Sequence, residues 1–243
     1  MRSVRPLFLV AAAVSLASAA YAYPGHSHNA LDGGKPIPTA WSATGTFDKV
    51  NAAGPDTVRF TTGDHWQVRA EGDARTLKRL RFLVEDGQLV VGRRSGDNTK
   101  LPAATIYVTA PAIHAATLAG SGALGVDRLS GDQVSATVAG SGDLTVGAVA
   151  ARSLNGTVAG SGDLTVTGRA ERARLTIAGS GTFDGRTFAA GGASVTVAGS
   201  GDMTFRSNGT VDATITGSGD IAVHGSATCK QSRIGSGRLT CGG

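Results

Sequence analysis

A chain of 243 residues with 36 glycines and only 5% aromatic residues is rich in small side chains and poor in the ring surfaces that sugar platforms use. Its formal charge of +5 comes from Lys and Arg scattered among Asp and Glu, which excludes a nucleic-acid footprint. Beyond residue 22 no segment supplies the roughly 20 apolar residues that a membrane-spanning helix needs.

The chain opens with Arg2 and Arg5, runs through an apolar stretch at 7–20 and reaches Ala20-Tyr21-Ala22, an A-x-A-like cleavage site. This pattern predicts a secretory signal peptide over 1–22 and an exported protein, periplasmic or at the cell surface. Removing the two arginines takes the charge from +5 to +3, and no Cys follows the apolar stretch to accept a lipid. Residues 23–40, "YPGHSHNALDGGKPIPTA", carry Gly, Pro and small polar residues without a period and are expected to form a flexible leader. His26 and His28 lie in it; two imidazoles without a third ligand read as a solvated tail rather than a metal site.

Residues 41–243 are expected to form a single β-solenoid domain, with irregular opening coils over 41–113 and regular coils over 114–243. In the opening part Gly54, Gly63, Gly72 and Asp86 punctuate β-branched runs, and Asp73 is placed to cap a short helix. Gly-Ser-Gly then begins at Gly120, Gly140, Gly160, Gly179, Gly199, Gly217 and Gly235, a period of about 19 residues. Ahead of the triplets, apolar residues alternate with polar ones: Val134, Ala136 and Val138 against Ser135 and Thr137, then Leu154, Gly156 and Val158 against Asn155 and Thr157. That is the period of a strand with one face buried. A unit this short cannot bury its own apolar face and must stack on its neighbours. A hairpin array would want two-residue Asn-Gly or Asp-Gly turns, whereas the same three small residues recurring once per coil fit a parallel β-helix with stacked Gly-Ser-Gly corners. The fold class is therefore all-β, a parallel β-helix. Cys229 and Cys241, 12 residues apart in an exported chain, are expected to pair.

With its G-S-G-D coils, the opening run "AGPDTVRFTTGD" at 53–64, "VEDGQLVV" at 84–91 and "IYVTAP" at 106–111, the chain resembles the bacterial family described as putative auto-transporter adhesin, head GIN domain. The resemblance covers roughly 41–241, and it implies a parallel β-helix, an exported location and an adhesive role. The last coil departs from the pattern, with Arg238 where Asp usually stands and the parity of Cys229 left open.

Two ladders offer chemistry. Asp143, Asp163, Asp202 and Asp220 share the position after the triplet. Carboxylates about 5 Å apart repel by roughly 0.8 kcal/mol in water, so either turn amides donate to them or a cation, calcium by its taste for oxygen, sits between them. Thr117, Thr137, Thr157, Thr176, Thr196 and Thr214 form an outward ladder ending in Ser232, a candidate binding surface. Its strand partner varies from Arg174 to Asp212, unlike the doubled Thr columns of ice-binding faces. His65, His114 and His224 fall in different coils, and no G-x-S-x-G, H-E-x-x-H or phosphate loop is present. The sequence thus predicts a non-catalytic surface or periplasmic module, structural or adhesive, that needs no cofactor and binds an extracellular or envelope glycan or protein. The alternatives are a calcium-dependent binding module and a periplasmic polysaccharide-active enzyme.

Overall fold

The computed structural model describes residues 30–96 and 100–242; the signal segment, His26 and His28 lie outside the described residues. Its body is a β-solenoid of about six turns of stacked parallel strands. The coil beginning at Ala123 shows three sides as separate strands, Ala123–Val126, Leu129–Ser130 and Gln133–Gly140. In the next three coils the same sides join into continuous strands, Asp143–Gly160, Asp163–Gly179 and Thr182–Gly199. The third side, ending at each triplet, is the longest.

Identical positions stack on one another. Leu118, Val138, Val158, Ile177, Val197 and Ile215 form one inward column, each paired with the next and each no more than 1% exposed. A neighbouring column runs Ala136, Gly156, Leu175, Val195 and Ala213. Its small members accommodate the large ones: a Cβ on Gly156 would stand 2.9 Å from Leu175 Cδ2 and 3.2 Å from Phe183 Cε2. Close packing of this kind leaves the core no freedom to shift register, because one step would turn every apolar side chain outward.

The corners stack as strictly as the core. The first glycine of every triplet takes a positive φ, between 117° and 132°. At the third coil the Gly140 carbonyl accepts from both Ser161 N (2.9 Å) and Gly162 N (3.0 Å), and the same double acceptance recurs at the Gly160 and Gly179 carbonyls of the following coils. Both ends of the triplet are glycine because the coil beneath approaches closely, and Gly160 carries a left-handed backbone as well.

The opening differs from a simple series of irregular coils. Lys49–Ala53 and Thr57–Thr62 lie directly beneath Ala115–Gly120 and Ala123–Val126, in parallel register. The chain then doubles back through antiparallel pairs, and Gln88–Arg93 and Thr105–Ala110 run in parallel on the far side of the first coil. Spatial order is therefore not chain order. Two local reversals produce this: at 63–66 the chain turns from Thr57–Thr62 into Gln67–Glu71, antiparallel to Thr105–Ala110, and at Asp86 (φ 50°) and Gly87 (φ 72°) a two-residue hairpin turn brings Leu80–Glu85 back onto Gln88–Arg93. Asp73 caps the short helix Ala74–Leu77, its carboxylate accepting from Arg75 N at 2.9 Å.

The leader expected over 23–40 is corrected from Ala30 onward. Leu31 and Ile37 are 1% and 4% exposed, and Lys35–Pro36 pairs antiparallel with Leu80–Glu85. These two apolar side chains, with the bonds from Ile37 N to Leu80 O and from Ala70 N to Pro38 O, fasten the segment to the body.

At the other end Thr228–Gly235 stacks on Thr210–Gly217 and puts Cys229 over Val211, Gln231 over Ala213 and Arg233 over Ile215. Cys229 therefore has inward parity, and polar Gln231 and Arg233 cover the end of two apolar columns. Cys229 and Cys241 form a disulfide with a Cα–Cα distance of 6.3 Å, clamping this coil to Leu239–Cys241. Closure of a loop of this length is worth about 3 kcal/mol. Replacing both cysteines by serine is expected to lower the stability read from urea denaturation by that amount, and adding reductant to the parent protein to lower it equally.

Candidate functional site

The long side of the solenoid presents its outward residues in columns. Thr117, Thr137, Thr157, Thr176, Thr196 and Thr214 stand in one unbroken register, continued by Ser232. Beside it runs a column of mixed chemistry, Ser135, Asn155, Arg174, Ser194, Asp212 and Lys230. Strand spacing of about 4.8 Å makes this a rigid two-dimensional lattice of side chains.

Next to the threonines the lattice opens into a shallow groove of about 610 Å³. Arg152, Arg172 and Arg174 project into it, together with Gln133, Ser153 and Asn155. The groove exists because long and short residues alternate along the stack: Arg172 pairs with Ser153 and Gly192, and Arg174 with Asn155 and Ser194. Asp132, 3.5 Å from Arg152, and Asp212 also line it. A second depression of about 570 Å³ shares Asp132 and Arg152 and adds Arg169 and Glu171.

The Asp ladder lies on a different side and is broken. Asp143 pairs with Asp163, but Thr182 stands between Asp163 and Asp202. Where these carboxylates meet the next coil they accept amide protons: Asp163 from Thr182 N at 3.2 Å, Asp202 from Asp220 N at 3.0 Å and Asp220 from Arg238 N at 2.8 Å. Among the described residues no three His, Cys, Asp or Glu side chains come together as a metal-holding group.

Histidines stay apart. His114 Nδ1 is 3.6 Å from Asp48, and His224 Nε2 is 3.3 Å from the Thr204 hydroxyl. At the opening end Arg69 lies between Trp41 and Tyr107, its guanidinium 5.1 Å and 4.1 Å from the two ring centroids. Hydrogen bonds from Arg69, and then from the Tyr107 hydroxyl, hold the Glu71 carboxyl below its ordinary pKa. Periodicity could not reveal this cluster, because its members come from three separate opening segments. The Arg groove is half visible in the sequence, as the variable partner of the Thr ladder.

The model of the family described as putative auto-transporter adhesin, head GIN domain, matches residues 46–227. Solved structures share the fold. A putative adhesin from Bacteroides fragilis NCTC 9343 is 21% identical with a TM-score of 0.75, covering 84% of this chain and 95% of that one. A protein from Parabacteroides distasonis ATCC 8503, described as a putative lipid binding protein, is 20% identical with a TM-score of 0.67, over 86% and 98% of the two chains. A putative adhesin from Parabacteroides merdae ATCC 43184 is 17% identical with a TM-score of 0.61, over 84% and 94%. Among curated proteins none matches the chain.

Proposed function

Because the chain belongs to the putative auto-transporter adhesin, head GIN domain family, we propose that it is an exported, non-catalytic module that binds an extended glycan or protein of the cell envelope or its surroundings along its long side. The observation that carries this reading is the long side itself, where outward side chains repeat in register across the stack. A partner of repeating chemistry meets such a surface at several points at once, and the rigid scaffold loses little entropy on binding. The disulfide and the signal-like opening support an oxidising compartment outside the cytosol.

The competing reading, a polysaccharide-active enzyme on the same scaffold, asks for a pair of carboxylic groups facing one another across a bound sugar. The arginine-lined groove supports binding better than cleavage, since Asp132 is already engaged by Arg152. No cofactor is called for; calcium, were it held by Asp143 and Asp163 or by Asp202 and Asp220, would make binding metal-dependent. The test is an array of glycans and envelope extracts read for retention and for product release, with and without calcium. Retention without shortening of the glycan is expected. Cleavage would sink the binding-module reading, and loss of retention on chelation would move the site to the Asp ladder.

A further inference from the structure

We propose that the groove over Arg152, Arg172 and Arg174 is a binding site for an acidic polysaccharide, whose carboxylates are held by the arginines while neighbouring amide and hydroxyl side chains take the sugar hydroxyls. The proposal rests on the binding-module reading and names its partner class.

Elsewhere among the described residues four arginines are matched by a carboxylate; what sets the groove apart is that three arginines line one depression. Arg69 bonds Glu71, Arg75 lies 3.3 Å from Asp73, Arg186 bonds Asp184, and Arg93 is 2.7 Å from Asp56. Arg172 and Arg174 are exposed and have no carboxylate or carbonyl partner among the described residues. They stand two apart on one strand, so both side chains leave the same face, and Arg152 joins them from the adjoining coil, next to Ser153, which is in register with Arg172. Arg172 and Arg174 bring two unmatched positive charges to one groove, and an incoming carboxylate supplies the missing partner. Arginine rather than lysine suits the task, since its planar fork meets a carboxylate with two parallel hydrogen bonds.

The rest of the lining selects a sugar polymer over a simple anion. Gln133, Ser153, Asn155 and Ser194 offer donors and acceptors at strand spacing, and Asp212 also lines the groove, able to accept from hydroxyls, while Asp132 is held by Arg152. Two carboxylates among the lining residues disfavour a densely charged phosphate surface. The groove is open and shallow, a shape that admits a continuous chain passing through rather than a small molecule enclosed.

The test compares the purified protein with Arg172→Gln/Arg174→Gln on immobilised polygalacturonate, on neutral dextran and on phosphatidylglycerol vesicles. Both arginines point into solvent, so an unchanged thermal melt verifies that the variant is folded. Removing one charge-assisted hydrogen bond to a ligand weakens binding about tenfold or more. Retention on polygalacturonate, weakened by salt, is therefore expected to fall by at least tenfold in the double variant. Arg186→Gln, which removes a charge already matched by Asp184, is expected to bind as the parent does. Equal retention by the double variant, absence of retention on polygalacturonate, or arginine-dependent binding to the vesicles instead would overturn the site. Retention on dextran that survives the substitutions would overturn the arginine site while leaving the binding-module reading standing. Shortening of the polymer would overturn that reading itself.

Discussion

Gly162→Ala is expected to destabilise the protein by more than about 3 kcal/mol, a cost near the upper end for a single added methyl group. Its Cβ would lie 2.2 Å from the Gly142 carbonyl oxygen and 2.8 Å from Val138 Cγ1. Neither obstacle can step aside: one is backbone in a neighbouring corner, the other is packed in a core column with 0% exposure. Relief requires separating two coils at the corner, where Ser161 N and Gly162 N both donate to Gly140 O. Gly160→Ala is expected to be at least as costly, since its Cβ meets Gly140 O at 2.3 Å and its φ of 122° strains any L side chain. Gly125→Ala is the control, because nothing lies within 4 Å of its Cβ position; it should stay within about 1 kcal/mol of the parent. Urea denaturation followed by circular dichroism reads all three. An alanine at 162 that left the midpoint where it was would mean that the coils do not touch at their corners.

The regular coils are legible because their constraint is repeated. Once two residues in each coil must be glycine and the residues before them must alternate, the same letters recur at Gly140, Gly160 and Gly179, and the stacking follows. Columns such as Val138, Val158 and Ile177 can be counted off from the triplet alone. Nothing comparable announces the opening. Its first coil, Lys49–Ala53, sits between Gln88–Arg93 and Ala115–Gly120, both later in the sequence, and the chain gets there through one reversal at 63–66 and a second at the two-residue turn Asp86–Gly87. The packing of Leu31 depends on which surface is left uncovered there, and local composition, full of Gly and Pro, argues for a leader instead. The candidate site is legible only in part. The Thr ladder is a repeat and reads as one; the groove beside it comes from departures from the repeat, where Arg172 and Arg174 rise above Ser153, Asn155, Gly192 and Ser194. A departure in one coil has no meaning until the neighbours that flank it are known.

The second large effect concerns a pair that no spacing could bring together. Asp56, 4% exposed, accepts from Arg93 Nε at 2.8 Å, from Arg93 Nη2 at 2.7 Å and from Ala104 N at 2.8 Å. The hydrogen bonds to the Asp56 carboxylate raise the Arg93 guanidinium above its ordinary pKa. Arg93 in turn donates to Pro102 O at 2.8 Å. One ion pair therefore joins the corner ahead of Thr57–Thr62 to the hairpin strand Gln88–Arg93 and to the approach to Thr105–Ala110, the three pieces whose order in space departs from order in sequence. Asp56→Ala leaves a guanidinium with side-chain exposure of 14% and no counter-charge from Asp56, and it orphans the Ala104 amide. Breaking one half of such a pair costs about 3–5 kcal/mol, most of it the penalty of the charge left behind. If that is the cause, Asp56→Leu combined with Arg93→Met should recover much of the loss, because no buried charge then remains. Thermal denaturation of the two single variants and the double variant measures the coupling. Additive losses would show instead that Asp56 and Arg93 act separately, and that the antiparallel end of the solenoid is held on by its apolar contacts, Leu31, Leu80 and Leu89 among them, without help from the ion pair.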